Sequence, residues 1–172
     1  MRLLAETYQS LESAQMQEWE GTLGMPVGLY TQQISGVAAQ PEAFDLYRFL
    51  AVDADPGLQS ILASAMSART LQTLGRRIND SLWIGIGKVW EAAAVGDAAS
   101  IWGAIPYTQA FDQAHYPDPQ FDPQPTVYQI VDAQLDSAIT VYLAKKPGPT
   151  RGPDTAELIY RGQPPESLAT IY

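Results

Sequence analysis

The segment from residue 82 to 101 is apolar around well over half of the circumference of a helix. Its apolar side chains fall on two adjacent helical stripes: Leu82, Ile86, Val89 and Ala93 on one, and Trp83, Gly87, Trp90 and Ala94 on the other. Gly85, Gly87 and residues 92–94 are small enough to let neighbouring helices approach closely. A helix of this kind has to be buried on two sides, so the segment is predicted to lie between other helices.

Three more long segments show helical spacing. Residues 3–20 place Leu4, Tyr8 and Leu11 on one face, and residues 58–78 and 126–144 repeat apolar residues at i, i+3 and i+4. A shorter helix is predicted over 27–34. The segment 37–57 is ambiguous, and in it Pro41, Pro56 and Gly57 bracket a cluster of aromatic residues. No convincing strand pattern appears. The sequence therefore predicts an all-α fold.

Local signals predict where two of these helices begin and end. Residues 79–81 supply a turn and a side-chain oxygen that caps the helix of 82–101. Thr126 and Gln129 have the spacing of a capping box for the helix of 126–144. At its far end, residues 145–146 are lysines, which the helix dipole favours, and residues 147–148 are Pro-Gly, which stops the helix.

Composition excludes several classes of function. The net charge of −9 and the pI near 4.4 argue against nucleic acid and against an electrostatic grip on anionic lipid. The absence of cysteine excludes disulfides, thiol catalysis and zinc–thiolate sites within these residues. The first residues turn polar after Leu4, unlike a signal peptide, and no apolar run approaches the roughly 20 residues that span a bilayer.

Few residues point to catalysis or to metal binding. His115 is the single histidine, in a proline-rich loop and without a serine elbow, so it is interpreted as an ordinary loop residue. Asp112, Asp118 and Asp122 share that loop, but their spacing fits no calcium loop, and they are interpreted as solvated carboxylates. A small hydrolase would require an acidic pair that converges in space. No cofactor, no metal and no enzymatic activity are predicted.

Aromatic residues are the remaining functional candidates. An exposed ring can stack on the apolar C–H face of a sugar. Large rings are also harder to bury in a loop than in a helix. The alternative is that the rings only fix loops onto helices, which is the reading favoured for Trp83, Trp90 and Tyr107. The candidate ligand-binding residues are Tyr107, Tyr116, Phe121, Phe44 and Tyr47.

Four blocks in order resemble SusD/RagB-like proteins. WGAIPYTQA at 102–110 is similar to the family's WGDIPYSEA turn. The residues from 119 to 139 are similar to the family's pattern P-x-x-D-x-Q-x-x-Y…L-D-x-A-I, with one more residue before the tyrosine at 128. QQISG at 32–36 and DTAELIYRG at 154–162 fit two further blocks. The resemblance covers roughly 30–162.

This resemblance implies a scaffold of tetratricopeptide-like helix pairs in a surface lipoprotein of the bacterial outer membrane. Such proteins are not enzymes; each sits on a SusC-like TonB-dependent transporter and captures oligosaccharides or peptides for import. The lipid-bearing cysteine is missing here, alanine replaces the common aspartate at 104, and family members are longer. The chain is therefore interpreted as a single partial domain over 1–172, loop-rich over 147–172. The alternative is a helical-repeat scaffold that binds a protein partner.

Overall fold

A computed structural model describes residues 2–37, 39–48 and 50–143. These residues form six α-helices and one π-helical segment. They are α1 Arg2–Gln17, the π-helical segment Glu18–Thr22, α2 Gly24–Tyr30, α3 Ala39–Asp45, α4 Ala51–Arg77, α5 Ser81–Trp102 and α6 Gln124–Leu143. Within the described ranges, the β pairing consists of one isolated antiparallel bridge between Ile105 and Asp122. The all-α prediction is confirmed.

Helix α5 lies at the centre, with α4 on one side and α6 on the other. One apolar cluster joins these three helices to the loop that follows α5: Leu23, Ile61, Ala65, Ala92, Ala94, Val95, Ala98, Ala99, Ile105, Tyr107, Val127 and Val131. A second cluster joins α1 to α4 and α5: Leu4, Tyr8, Leu11, Ala68, Leu71 and Trp83. The predicted burial of α5 on two sides is confirmed, although Val89 and Ile101 face solvent.

Helix α4 touches α5 so closely at Gly87 that a side chain would not fit there. A Cβ atom at this position would lie 2.7 Å from the Gln72 side chain and 2.8 Å from the Ala68 carbonyl oxygen. The expected role of a small residue at this position is therefore confirmed. Glycine lowers the helix propensity of α5 at this position. The close approach offsets that cost, because it buries the facing sides of both helices.

The predicted cap of α5 is confirmed, because the Asp80 carboxylate accepts a hydrogen bond from the Leu82 N–H at 3.1 Å. The predicted capping box of α6 is wrong. This helix begins two residues earlier, and the N–H groups of Thr126 and Val127 bond to the Pro123 carbonyl. Pro125 is compatible with the first helical turn, where its missing N–H would have no partner inside the helix.

Two further boundaries differ from prediction. Helix α4 begins at residue 51 rather than 58 and continues through Pro56 and Gly57. A proline so close to the start of a helix removes few backbone bonds, and a helix of 27 residues can absorb that loss. The ambiguous segment contains the short helix α3.

The signals expected at 145–148 lie outside the described residues, as does the helical turn predicted near 155–160.

Helices α2, α3 and α4 end in the same way. Each has a residue with positive φ just past its end: Gln32 at 59°, Tyr47 at 54° and Asn79 at 55°. After α3, the Tyr47 N–H bonds to the Phe44 carbonyl and the Arg48 N–H to the Ala43 carbonyl, which is the Schellman pattern. Glycine is the usual residue at the position with positive φ, so a tyrosine there is unusual.

The helix α6 buries only part of its apolar surface. Val127, Val131 and Ala138 are buried, whereas Leu135 and Ile139 are exposed. Among the described residues, no helix combines the length and the hydropathy that a bilayer span requires.

We predict opposite effects for two glycine-to-alanine substitutions in α5. Gly87→Ala should lower the free energy of unfolding by about 1–3 kcal/mol, because its Cβ meets the α4 backbone. Gly96→Ala should raise it by about 0.5–1 kcal/mol, because no atom lies within 4 Å of its added Cβ and alanine favours the helix. Urea denaturation of both variants checks this. Equal effects would contradict the proposed close contact at Gly87.

Candidate functional site

The loop after α5 is held in a fixed corner by Asp122. Its backbone exchanges two hydrogen bonds with Ile105, at 3.2 and 2.8 Å. Its carboxylate accepts the N–H groups of Tyr107 and Thr108 at 3.1 and 2.7 Å, and also the Thr108 hydroxyl at 2.9 Å. The prediction that Asp122 is a solvated loop carboxylate is therefore wrong, because its hydrogen-bonding capacity is used to position the corner.

This corner directs Tyr107 into the core, where its hydroxyl reaches a buried carboxylate. The Tyr107 hydroxyl lies 2.9 Å from Glu91 Oε1 and 3.0 Å from Gln134 Oε1. Glu91, in the middle of α5, also accepts hydrogen bonds from Arg69 Nε and Gln72 Nε2, both at 2.6 Å. Two helices and the loop thus meet at one carboxylate, and α6 joins them through Gln134.

Arg69 extends this network to the edge of the loop. Its guanidinium carbon lies 4.2 Å from the centroid of the Phe111 ring and 5.3 Å from that of Tyr107. The two rings contact each other in a T-shaped arrangement with centroids 6.2 Å apart. Arg69 is therefore engaged by a carboxylate and by aromatic rings at once, which favours a role in holding the loop.

The environment of Tyr107 keeps its phenol protonated. Burial raises the pKa of Tyr107 to about 12, and the negative charge and hydrogen bond of Glu91 act in the same direction. Arg69 opposes this effect with its positive charge. The hydroxyl therefore remains a hydrogen-bond donor at pH values above 10, at which an ordinary phenol loses its proton.

The structure divides the five predicted ligand-binding residues into two groups. Tyr107 and Phe44 are buried, with 2% and 6% of their surface exposed, and offer no ring face to a ligand in this conformation. Tyr47, Tyr116 and Phe121 are exposed at 55%, 43% and 63%. The last two share the loop between α5 and α6, whereas Tyr47 follows α3.

Sequence reasoning did not identify Tyr30, which is 49% exposed and pairs with Tyr47. The two rings meet in a T-shaped arrangement with centroids 4.7 Å apart, and the Tyr47 hydroxyl donates to the Tyr30 carbonyl at 2.8 Å. A tyrosine at the end of a short helix carries no distinctive signal. The two tyrosines are 17 positions apart in the sequence, so local patterns do not predict their contact.

Polar side chains lie beside this aromatic pair. Gln32 Nε2 donates to the Asp45 carbonyl at 3.1 Å and lies 3.3 Å from its carboxylate. The Ser35 hydroxyl lies 3.3 Å from the other oxygen of the same carboxylate. These bonds connect the turn after α2 to the end of α3, and they bring a half-buried carboxylate, an amide and a hydroxyl close together.

Other parts of the surface carry weaker signals. His115 Nδ1 lies 2.8 Å from the Asp112 carboxylate three residues before it, and both side chains are exposed. Among the side chains that the structure describes, no group of three His, Asp or Glu residues could hold a metal ion. An open groove of about 310 Å³ between α1 and α4 is lined by Glu6, Thr7, Ser10, Ser67 and Thr70.

Comparison with known proteins gives one match. The SusD-like family, described as starch-binding and associating with the outer membrane, matches residues 6–164. The match includes α1 from residue 6 onward, whereas the motif resemblance began at about residue 30. No curated protein and no solved structure matches the chain.

We predict that Tyr107→Phe removes a pH-dependent part of the stability. Because the folded-state pKa of Tyr107, about 12, lies above its ordinary value of 10.0, its contribution is fully present below pH 10. The contribution is lost as the pH rises from 10 to 12, by up to about 3 kcal/mol. Unfolding free energies of both proteins across this range check the prediction. Parallel curves for the two proteins would contradict it.

We also predict that Asp122→Asn lowers the free energy of unfolding by about 1–3 kcal/mol, because an amide cannot accept all the bonds of the carboxylate. Asp118→Asn, at an exposed position of the same loop, serves as the matched control and should change it by less than about 0.5 kcal/mol. Thermal and urea denaturation of the two variants give the comparison. A stable Asp122 variant would show that the corner does not depend on this carboxylate.

Proposed function

This chain belongs to the SusD-like family, and we propose that it captures glycans for import through a SusC-like TonB-dependent transporter. The observation that carries the proposal is the family match over residues 6–164, under a description that names starch binding and the outer membrane. Family members are binding proteins. We propose that this chain acts at the outer face of the outer membrane as a surface lipoprotein.

The exposed aromatic rings support glycan capture in physical terms. Tyr47, Tyr116 and Phe121 present apolar ring surface to solvent on a scaffold whose core is already filled. A pyranose has an apolar C–H face and a polar edge, so it can stack on such a ring while its hydroxyls remain hydrogen-bonded. Exposed rings at the ends of helices therefore suit a sugar ligand.

The described buried carboxylates support binding rather than hydrolysis. Glu91 accepts hydrogen bonds from two side chains of α4, Asp80 caps α5, and Glu12 accepts the Tyr8 hydroxyl at 2.6 Å. Each of these groups has a structural task. A glycosidase needs one carboxyl as a proton donor and a second one across the scissile bond, both facing the substrate.

A second candidate function, a scaffold that binds a protein partner, is favoured by one observation. Residues 24–37 contain no charged side chain, although the chain has a net charge of −9. Five large apolar residues of this stretch are exposed: Met25, Val27, Tyr30, Ile34 and Val37. An uncharged apolar surface of this kind suits contact with another protein. The transporter is the partner that the proposed function requires, so the two functions are compatible.

Calorimetric titration of the chain with starch-derived oligosaccharides tests the proposal. We expect saturable binding of the oligosaccharides, because an exposed ring offers a stacking surface for a pyranose. A peptide panel measured in parallel distinguishes the two ligand classes. The proposal fails if no oligosaccharide binds and the chain does not co-purify with a TonB-dependent barrel.

A further inference from the structure

We infer that Tyr47, supported by Tyr30, forms a preorganised platform for one pyranose ring of a neutral oligosaccharide. This inference rests on the proposed glycan-binding function and assigns it a site and a ligand charge. The platform consists of the Tyr30–Tyr47 pair and its polar rim, which is Gln32, Ser35 and Asp45.

The first argument is that the Tyr47 ring is held in place while it remains exposed. Its hydroxyl donates to the Tyr30 carbonyl, and the two rings are in T-shaped contact. A hydrogen bond at one end and a ring contact at the other restrict both side-chain torsions. These contacts order the ring before any ligand arrives. At the same time, 55% of the residue remains exposed and accessible to a ligand. Such preorganisation reduces the entropy cost of binding.

The second argument is the backbone conformation of Tyr47. Its φ of 54° places a bulky residue where glycine would cap α3 at lower cost. Burial of the ring does not compensate for this cost, because more than half of the residue is exposed. Backbone strain that packing does not explain is concentrated at functional sites. The conformation therefore points to a use for the ring at this position.

The third argument is the polar rim beside the ring. Gln32 and Ser35 are exposed, and the amide of the one and the hydroxyl of the other each lie within hydrogen-bond distance of the half-buried Asp45 carboxylate. A sugar that stacks on Tyr47 would place its hydroxyls near groups that can accept and donate hydrogen bonds. Stacking combined with directional polar contacts is the arrangement that small-ligand sites use for orientation.

The charge of the rim selects the class of sugar. The partners of the Asp45 carboxylate within the rim are the neutral side chains Gln32 and Ser35. The whole chain is also acidic, with a net charge of −9. A uronic acid would therefore be repelled, both near the rim and at longer range, whereas a neutral pyranose would not.

Calorimetry with a neutral maltooligosaccharide and with an oligogalacturonate of equal length tests the inference. We compare the wild type with Tyr47→Gly, which removes the ring but keeps a residue that suits the positive φ. We expect the dissociation constant for the neutral sugar to rise about tenfold or more, since the stacking contact is lost. Ile139→Ala, which removes an exposed apolar side chain from α6, is the matched control and should change it by less than about threefold.

A second variant tests the inference independently of any folding defect in Tyr47→Gly. Tyr30→Leu keeps the backbone carbonyl that accepts the Tyr47 hydroxyl and keeps an apolar side chain, but it removes the supporting ring. We expect weaker binding of the neutral sugar with an unchanged melting temperature. If Tyr47→Gly melts early, the Tyr30 variant decides the question by the same measurement.

The possible failures are distinguishable. If the wild type binds the neutral sugar and both tyrosine variants bind it equally well, this inference is overturned and the proposed function stands. If the wild type binds neither sugar, this inference is overturned, and the proposed function fails as well only if the chain does not co-purify with a TonB-dependent barrel. Equal affinity for the uronate overturns the assignment to neutral sugars. Loss of peptide binding in both variants, with sugar binding intact, would assign the platform to peptides instead.

Discussion

A single buried carboxylate organises this helical structure. Removing Glu91 from water is unfavourable unless hydrogen bonds replace its hydration, and Arg69, Gln72 and Tyr107 supply those bonds. Because the donors come from α4 and from the loop after α5, satisfying the charge fixes both relative to the central helix. Gln134 brings α6 into the same network through the Tyr107 hydroxyl. The network specifies which surfaces meet, whereas the apolar side chains around it supply most of the driving force for packing.

The corner formed by residues 105–108 depends on this network and in turn stabilises it. Asp122 orders the backbone on the outer side of the loop, and Glu91 receives the Tyr107 side chain on the inner side. The motif that most clearly resembles the family is therefore structural, because its aromatic ring is buried and its backbone donors are engaged. Ligand contacts are more plausible at rings outside this corner, where the scaffold is rigid but the side chains remain accessible. Conserving the scaffold while varying the exposed rings would allow one fold to serve different ligands.

Three helix ends place a residue other than glycine at positive φ, where glycine would have the lowest conformational energy. Gln32, Tyr47 and Asn79 all adopt positive φ after a helix, and asparagine is the one of the three that commonly does so. Tyr47 differs from the other two because its bulky ring pairs with a second exposed ring. Local strain and an exposed aromatic pair thus coincide at the end of α3. That coincidence distinguishes this surface from the loop that carries Tyr116 and Phe121.

The sequence by itself determined the helical class, the two-sided burial of α5 and the cap at Asp80, because these depend on periodicity and on neighbours a few residues away. It predicted the capping box at Thr126 wrongly and began α4 at residue 58 instead of 51, because packing of long helices outweighed local signals there. Only the tertiary structure decided that Glu91 pairs with residues 22 and 16 positions away, and that Tyr30 meets Tyr47. The physical reason is that such contacts depend on how helices are placed in space, and side-chain spacing along one helix does not encode that placement.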